Sequence, residues 1–259
     1  MLNICIGIVS YLPENNSDRA QRINGLNNLL QQLNNFWPNL PIIIISQNWK
    51  DFKPVEIKNK IIRFDYAPLG ILKARQTLRE KFLETTYDGI ILFDDDCHIV
   101  NKGKAYQTYL KEIKKHIDGF AFCLYREDYG ESAYYNPYAP SQLNLCYISK
   151  KLFEKANFIV DPQKQEGYED RILSSYLHYI YPELEFNIPA GLYHDHFKNV
   201  KIQNPSTWAN GFHPWEYMNI RTFRIERYLC NFKRFPPDLK TFYPYKAYLR
   251  DKALKNKNV

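Results

Sequence analysis

The sequence predicts an α/β domain with a mostly parallel sheet flanked by helices, and three observations point there. Continuous apolar runs of strand length, at residues 4–10, 41–46 and 89–93, alternate with stretches of helical periodicity. The runs are unbroken rather than alternating, as in strands covered on both faces. A chain of 259 residues, 45% of them apolar, is also long enough to bury the core that such a fold requires.

Residues 4–10 read as the first buried strand. Residues 18–33 follow as a helix, with Ile23, Leu26, Leu29, Leu30 and Leu33 at three- and four-residue spacing. Residues 41–46 form the second strand, 60–64 a short third, 70–85 a second helix and 89–93 a fourth strand. Strand–helix alternation of this kind implies helices on both faces of a parallel sheet, with ligands at the carboxyl ends of the strands. Beyond residue 100 the pattern is less regular. Residues 104–116 read as a helix, 120–124 as a strand, and 142–148 as a strand leading into a helix over 150–156. Residues 169–181 are expected to be helical and 184–193 extended. The Tyr/Pro/Asn-rich stretch 127–143 is too long for an ordinary connection and is expected to be a functional loop or lid.

The formal charge of +7 suggests a polyanion-binding protein until it is partitioned. Residues 217–259 carry 11 Lys/Arg against 3 Asp/Glu, which leaves 24 against 25 for the rest. The body is therefore neutral and the basicity belongs to the end of the chain. Phe223, Arg227 and Tyr228 stand close to helical spacing there, which suits a membrane-surface helix, an oligomer contact or a packed helical cap better than nucleic acid. No run approaches the roughly 18–20 apolar residues of a transmembrane helix. Five cysteines without CxxC spacing indicate reduced thiols rather than a disulfide framework or a zinc knuckle, and a cytoplasmic setting. Tyr134, Tyr135 and Tyr138, with Trp208 and Trp215, have the flat faces on which sugars pack.

The chemistry concentrates after the fourth strand, where Asp94-Asp95-Asp96-Cys97-His98 follows the apolar run. Adjacent carboxylates repel, so a fold that places them at a strand end needs a compensating cation. Asp94 and Asp96, two apart in extended backbone, would point the same way and hold one hard divalent ion, Mn²⁺ or Mg²⁺, which completes its shell with water and substrate phosphates.

The run from Gly89 to Asp96 resembles the strand-terminal DxD motif of nucleotide-sugar-dependent glycosyltransferases of the GT-A (Rossmann-like) fold, family 2-like members in particular. The resemblance implies that Asp96 binds the ion that bridges the donor diphosphate, and that Asp94 and Asp95 assist at the metal or the ribose. Gly70-Ile71-Leu72-Lys73-Ala74-Arg75-Gln76 resembles the family's G-x-x-x-A-R-N element, with Gln76 in place of Asn. There Gly70 turns the chain into a helix whose first amides, with Lys73 and Arg75, face the diphosphate. Gly167-Tyr168-Glu169-Asp170 resembles the G-x-E-D element that supplies a general base. Asp170 is the first candidate and Glu169 the second, at a helix start that also favours capping. In Tyr193-His194-Asp195-His196 either His194 or His196 is in place to be a further metal ligand. Tyr11 after the first strand is placed to stack on the base, Asp65 after the third to accept from a base N–H, and Gln47 after the second is a weaker candidate.

The resemblance implies a metal-dependent enzyme that moves a hexosyl or N-acetylhexosaminyl group from a nucleotide sugar, a UDP-sugar first, to a saccharide or lipid-linked glycan, with inversion. The setting would be bacterial-type polysaccharide biosynthesis at the inner face of the cell membrane. Residues 1–216 would be the catalytic domain, with 1–100 the nucleotide-binding half and 101–216 the acceptor-binding half, and 217–259 an extension contacting membrane or a second copy. Two other classes are weighed. A nucleotidyltransferase of the sugar-phosphate type needs a Gly-rich, basic loop after the first strand, and Ser10-Tyr11-Leu12-Pro13-Glu14-Asn15 contains neither. A nucleic-acid-binding protein acting through the basic end would leave the three Asp without a role.

Overall fold

A computed structural model of the chain describes residues 2–14, 16–122, 143–155, 181–189 and 191–196, with Leu173 and Leu177 as isolated positions. Strands β1 (Ile4–Tyr11), β2 (Ile42–Gln47), β3 (Ile61–Tyr66) and β4 (Gly89–Asp94) pair in parallel. With β6 (Phe120–Ala121) and β7 (Cys146–Ser149) they make a six-stranded sheet in the order β3-β2-β1-β4-β7-β6, in which β7 runs antiparallel to both neighbours. Helices α1 (Asn16–Phe36), α2 (Ile71–Leu83), α3 (Ala105–Lys115) and α4 (Lys150–Lys155) flank it. The mostly parallel, helix-flanked sheet is the expected fold class.

Alternation along each strand divides the core in two. Ile4, Ile6 and Ile8 of β1 and Ile91 and Phe93 of β4 pack with Leu26, Leu29, Leu30 and Leu33 of α1 and Tyr109 and Ile113 of α3. On the other face Cys5 and Val9, with Ile90 and Leu92, meet Ala74, Leu78 and Phe82 of α2 and Leu152 and Phe153 of α4. The four α1 leucines are fully buried. Truncating one to alanine costs roughly 2–5 kcal/mol, so this face fixes the helix and with it the polar side chains near its N-terminus. Burial raises the Cys5 thiol well above its ordinary range, which makes it packing material rather than a reactive group. Gly89 is needed for close approach, because a Cβ there would enter the ring of buried Tyr147.

The sequence reading has no counterpart for β5 (Cys97–Asn101), which leaves the acidic turn and pairs antiparallel with β8 (Leu192–His196) in a separate two-stranded sheet. The amide of Gln32 on α1 grips the outer side of β5, accepting from Ile99 N at 2.8 Å and donating to Ile99 O at 3.0 Å. Because Gln32 Nε2 also lies 3.2 Å from His98 Nδ1, that nitrogen accepts and the His98 proton sits on Nε2. Three further boundaries differ from expectation. Residues 143–145 are bent, with Leu145 at φ 56°, so β7 starts at Cys146 rather than at 142. The expected strand at 120–124 pairs only over Phe120–Ala121 among the described residues. Of the stretch 184–193 expected to be extended, Leu184 ends a 3₁₀ turn (Pro182–Leu184) and the strand begins only at Leu192.

Residues 127–142 of the loop expected over 127–143, the base candidates Glu169 and Asp170, the aromatics Tyr134, Tyr135, Tyr138, Trp208 and Trp215, and the extension 217–259 lie outside the described residues. No described helix is long and apolar enough to cross a membrane.

Candidate active site

The parallel register brings the strand ends together. Tyr11 stands opposite Gln47, Gln47 opposite Tyr66, Ser46 opposite Asp65 and Val9 opposite Asp94, so one edge of the sheet carries several of the candidate positions. Asp94 closes β4, and Asp95 and Asp96 form the turn into β5. This differs from the extended backbone expected for the acidic run. As a result Asp94 and Asp96 face different helices instead of a common point.

Each carboxylate meets a guanidinium. Arg75 of α2 donates to both oxygens of Asp94, at 2.8 and 2.9 Å. Asn144 frames the same residue, accepting from Asp94 N at 2.6 Å and donating to Oδ2 at 3.2 Å. Arg22 of α1 donates to Asp95 Oδ1 at 2.7 Å and to Asp96 Oδ2 at 3.1 Å. Asp95 Oδ2 accepts from Ser10 Oγ at 2.8 Å and from Tyr11 N at 3.0 Å, and Trp49 Nε1 donates onward to Ser10 Oγ at 3.1 Å. Burial is the main influence on the Asp95 carboxyl and pushes it up to about 6, against the opposing pull of Arg22. In return the Asp95 carboxylate raises the Arg22 guanidinium, which stays charged at any working pH.

The other expected residues take clear places. The ring of Tyr11 is 41% exposed, the one large exposed hydrophobic among the described residues, and it stands at the sheet edge beside the acidic turn. Gly70 adopts φ 77°, ψ 159° before α2, a conformation suited to glycine, and this turns the chain into the helix. Lys73 is exposed on the first turn of α2, whereas Arg75 is 8% exposed and committed to Asp94. Asp65 accepts from Ser46 Oγ at 2.6 Å and from Arg63 Nε at 3.1 Å. Buried Gln47 accepts from Leu69 N at 2.7 Å, so it braces the loop ahead of Gly70. His196 stands opposite Cys97 in the β5–β8 register and His194 opposite Ile99, so the position nearer to the acidic turn is 196.

Arg22 and Asn144 escape the sequence reading altogether. The signal available for Arg22 was chemical: three adjacent carboxylates need cations, and α1 supplies Arg19 and Arg22 one turn apart. Arg19 is occupied with backbone carbonyls, at 3.0 Å to Asn48 O and 3.0 Å to Trp49 O, and so ties down the loops after β1 and β2.

Whether the residues suit the divalent ion implied by the acidic motif is tested by the cation already there. Arg22 lies between Asp95 and Asp96 as a positive charge on hard carboxylate oxygens, the donor chemistry that Mn²⁺ and Mg²⁺ prefer. The oxygens are of the kind such an ion takes, but Arg22 and Arg75 hold them and Asp94 and Asp96 face apart. Among the described residues no three His, Cys, Asp or Glu side chains form a group able to hold a metal ion.

No protein-family model and no curated protein matches the sequence. Solved structures that match include one from Bacillus anthracis described as a glucose-1-phosphate thymidylyltransferase in complex with sucrose. Its TM-score is 0.49 at 10% identity, over 74% of this chain and 89% of that one. A protein of STIV matches with a TM-score of 0.41 at 13% identity, over 75% of this chain and 85% of its own. No chemistry is carried over from either.

Proposed function

We propose that the chain is a nucleotide-sugar-dependent glycosyltransferase of the GT-A type, with its donor lying across the carboxyl ends of β1 to β4. The observation that supports this reading is the gathering of the acidic turn, the exposed Tyr11 ring and the Gly70 entrance to α2 along one sheet edge. Tyr11 stacks on the base and Asp65 accepts from it. The first amides of α2 and Lys73 face the diphosphate. Asp96, with Asp94 once Arg22 and Arg75 release the two side chains and with His194 or His196 on β8, would hold Mn²⁺ or Mg²⁺, and Asp95 supports the ribose side. Those residues would place Lewis-acid chemistry beside the departing diphosphate if a divalent ion were bound there. Asp170, or Glu169, takes the proton of an acceptor hydroxyl while that oxygen attacks the anomeric carbon and the bond to the nucleotide diphosphate breaks, giving inversion. The acceptor is a saccharide or lipid-linked glycan, and residues 217–259 contact a membrane surface or a second copy.

A thermal-shift panel of nucleotide sugars with and without Mn²⁺ tests this. One donor, a UDP-sugar first, should raise the melting temperature only with metal, since ligand at 100-fold over Kd adds about 2.7 kcal/mol. Asp96→Ala should abolish that shift and reduce transfer at least about 100-fold, the scale of losing one charge-stabilising contact in the transition state. Turnover by Asp96→Ala at the wild-type rate would remove Asp96 from the metal site.

One observation favours a second reading, nucleotidyl transfer to a sugar phosphate. Arg22, on the helix directly after β1, reaches the acidic turn and supplies the basic group that residues 10–15 lack. Pyrophosphate released from a nucleoside triphosphate plus a sugar 1-phosphate would establish that reading, and nucleoside diphosphate released from a nucleotide sugar would establish the first.

A further inference from the structure

We propose that the exposed side of α3 is a docking face for an anionic lipid surface. Lys104, Lys111 and Lys115 stand seven and four residues apart, which at 3.6 residues per turn sets them within about 40° of one line along the helix. All three are exposed, as are Lys114 beside them and Lys102 ahead of the helix. Ala105, Tyr109 and Ile113 hold the opposite side in the core. The charge is local: residues 102–115 carry five Lys against one Glu, which leaves 19 Lys/Arg against 24 Asp/Glu for the rest of residues 1–216. The basic line therefore stands out from a body that is otherwise acidic. Half-buried Glu112, the one acid on the helix, is taken by Lys115 at 2.7 Å. Lys104, Lys111 and Lys114 meet no carboxylate among the described residues. The side-chain types select the partner. Discrete phosphates and carboxylates are gripped by the bidentate fork of arginine, and residues 102–115 contain none. Protein interfaces are depleted in Lys and centred on aromatic anchors, and no large apolar side chain is exposed on α3. Single-stranded nucleic acid needs free rings to stack on, whereas Tyr106 is half-buried against Phe36, with ring centroids 5.1 Å apart. A leaflet spreads its negative charge over many head groups, and a line of lysines about 16 Å long meets it without inserting. The assignment is independent of the transferase reading and of the basic end at 217–259.

Co-sedimentation of the full chain with vesicles tests it, using phosphatidylcholine alone and an equal mixture of phosphatidylcholine and phosphatidylglycerol at low salt. Wild type should pellet with the mixed vesicles only, and should be released as sodium chloride approaches about 1 M, where the Debye length falls to about 3 Å. The triple variant Lys104→Gln/Lys111→Gln/Lys115→Gln should bind about 100-fold more weakly, because each lysine at an anionic surface contributes about fivefold. Lys111→Gln alone should lose about fivefold. A control with the same charge change spread over other elements, Lys53→Gln/Lys81→Gln/Lys155→Gln, should lose less than about tenfold, since separated charges are screened. All the substituted side chains of the triple variant are exposed, so its melting temperature should stay close to that of wild type and loss of binding is not loss of fold. Wild type left in the supernatant of the mixed vesicles overturns the assignment. Equal losses in the two triple variants would reduce the binding to net charge and overturn the face. A triple variant that pellets like wild type would do so too, and would leave 217–259 as the contact. Retention of polyuridylate in place of the mixed vesicles, lost in the same triple variant, would make α3 a nucleic-acid contact and overturn the lipid.

Discussion

Asp95 is the most constrained of the three carboxylates, enclosed by Arg22, Ser10 and the Tyr11 amide. Its carboxyl titrates near 6 in the folded chain, against about 3.9 for an unfolded aspartate. Between those values the folded state keeps a proton that the unfolded state has released. The associated stability is full below about pH 4 and is lost as pH rises through about 6. Urea unfolding in EDTA should therefore show wild type losing stability relative to Asp95→Asn between pH 4 and 6.5, with a constant difference above pH 7. Wild type gaining stability relative to Asp95→Asn as pH rises would reverse the sign assigned to burial. The acidic run itself was legible in the sequence, because three Asp after a buried strand stand out locally. Its cations were not. Residues 22 and 95 are separated by 73 positions, and nothing in the local pattern around Arg22 marks it as a partner.

At the scale of elements, β1, β2, β4, α1 and α2 were legible because each is specified by its own periodicity. The short β5 was hidden: Cys-His-Ile-Val-Asn mixes polar and apolar residues, and its partner β8 lies about a hundred positions away. Fit between elements is more demanding than their existence. At Gly89 the added methyl of Gly89→Ala would run into Tyr147, whose hydroxyl donates to Ile117 O at 2.7 Å and so cannot easily withdraw. The cost should be about 1–3 kcal/mol, which lowers the melting temperature by roughly 2–10 °C for a domain of this size. Lys111→Ala, on the exposed side of α3, should stay within about 0.5 kcal/mol of wild type. Equal melting temperatures for the two variants would show that β4 and β7 have room that the packing denies.

Across the whole molecule, the six-stranded sheet and the small β5–β8 sheet meet at the acidic turn, so the candidate site lies where two sheets with different partners join. The Gln32 amide that occupies both backbone groups of Ile99 has a consequence beyond holding α1 in place. A two-stranded ribbon has an open flank, and an open flank recruits strands from other chains. Gln32 acts there as a one-residue surrogate strand, so the ribbon offers no pairing groups at Ile99 to a neighbouring molecule. Gln32→Ala should keep its helical and strand content but scatter more light on standing at high concentration, at temperatures well below its melting point. Scattering no greater than wild type would mean that the flank is already closed elsewhere. On this account one glutamine side chain guards the colloidal solubility of the protein.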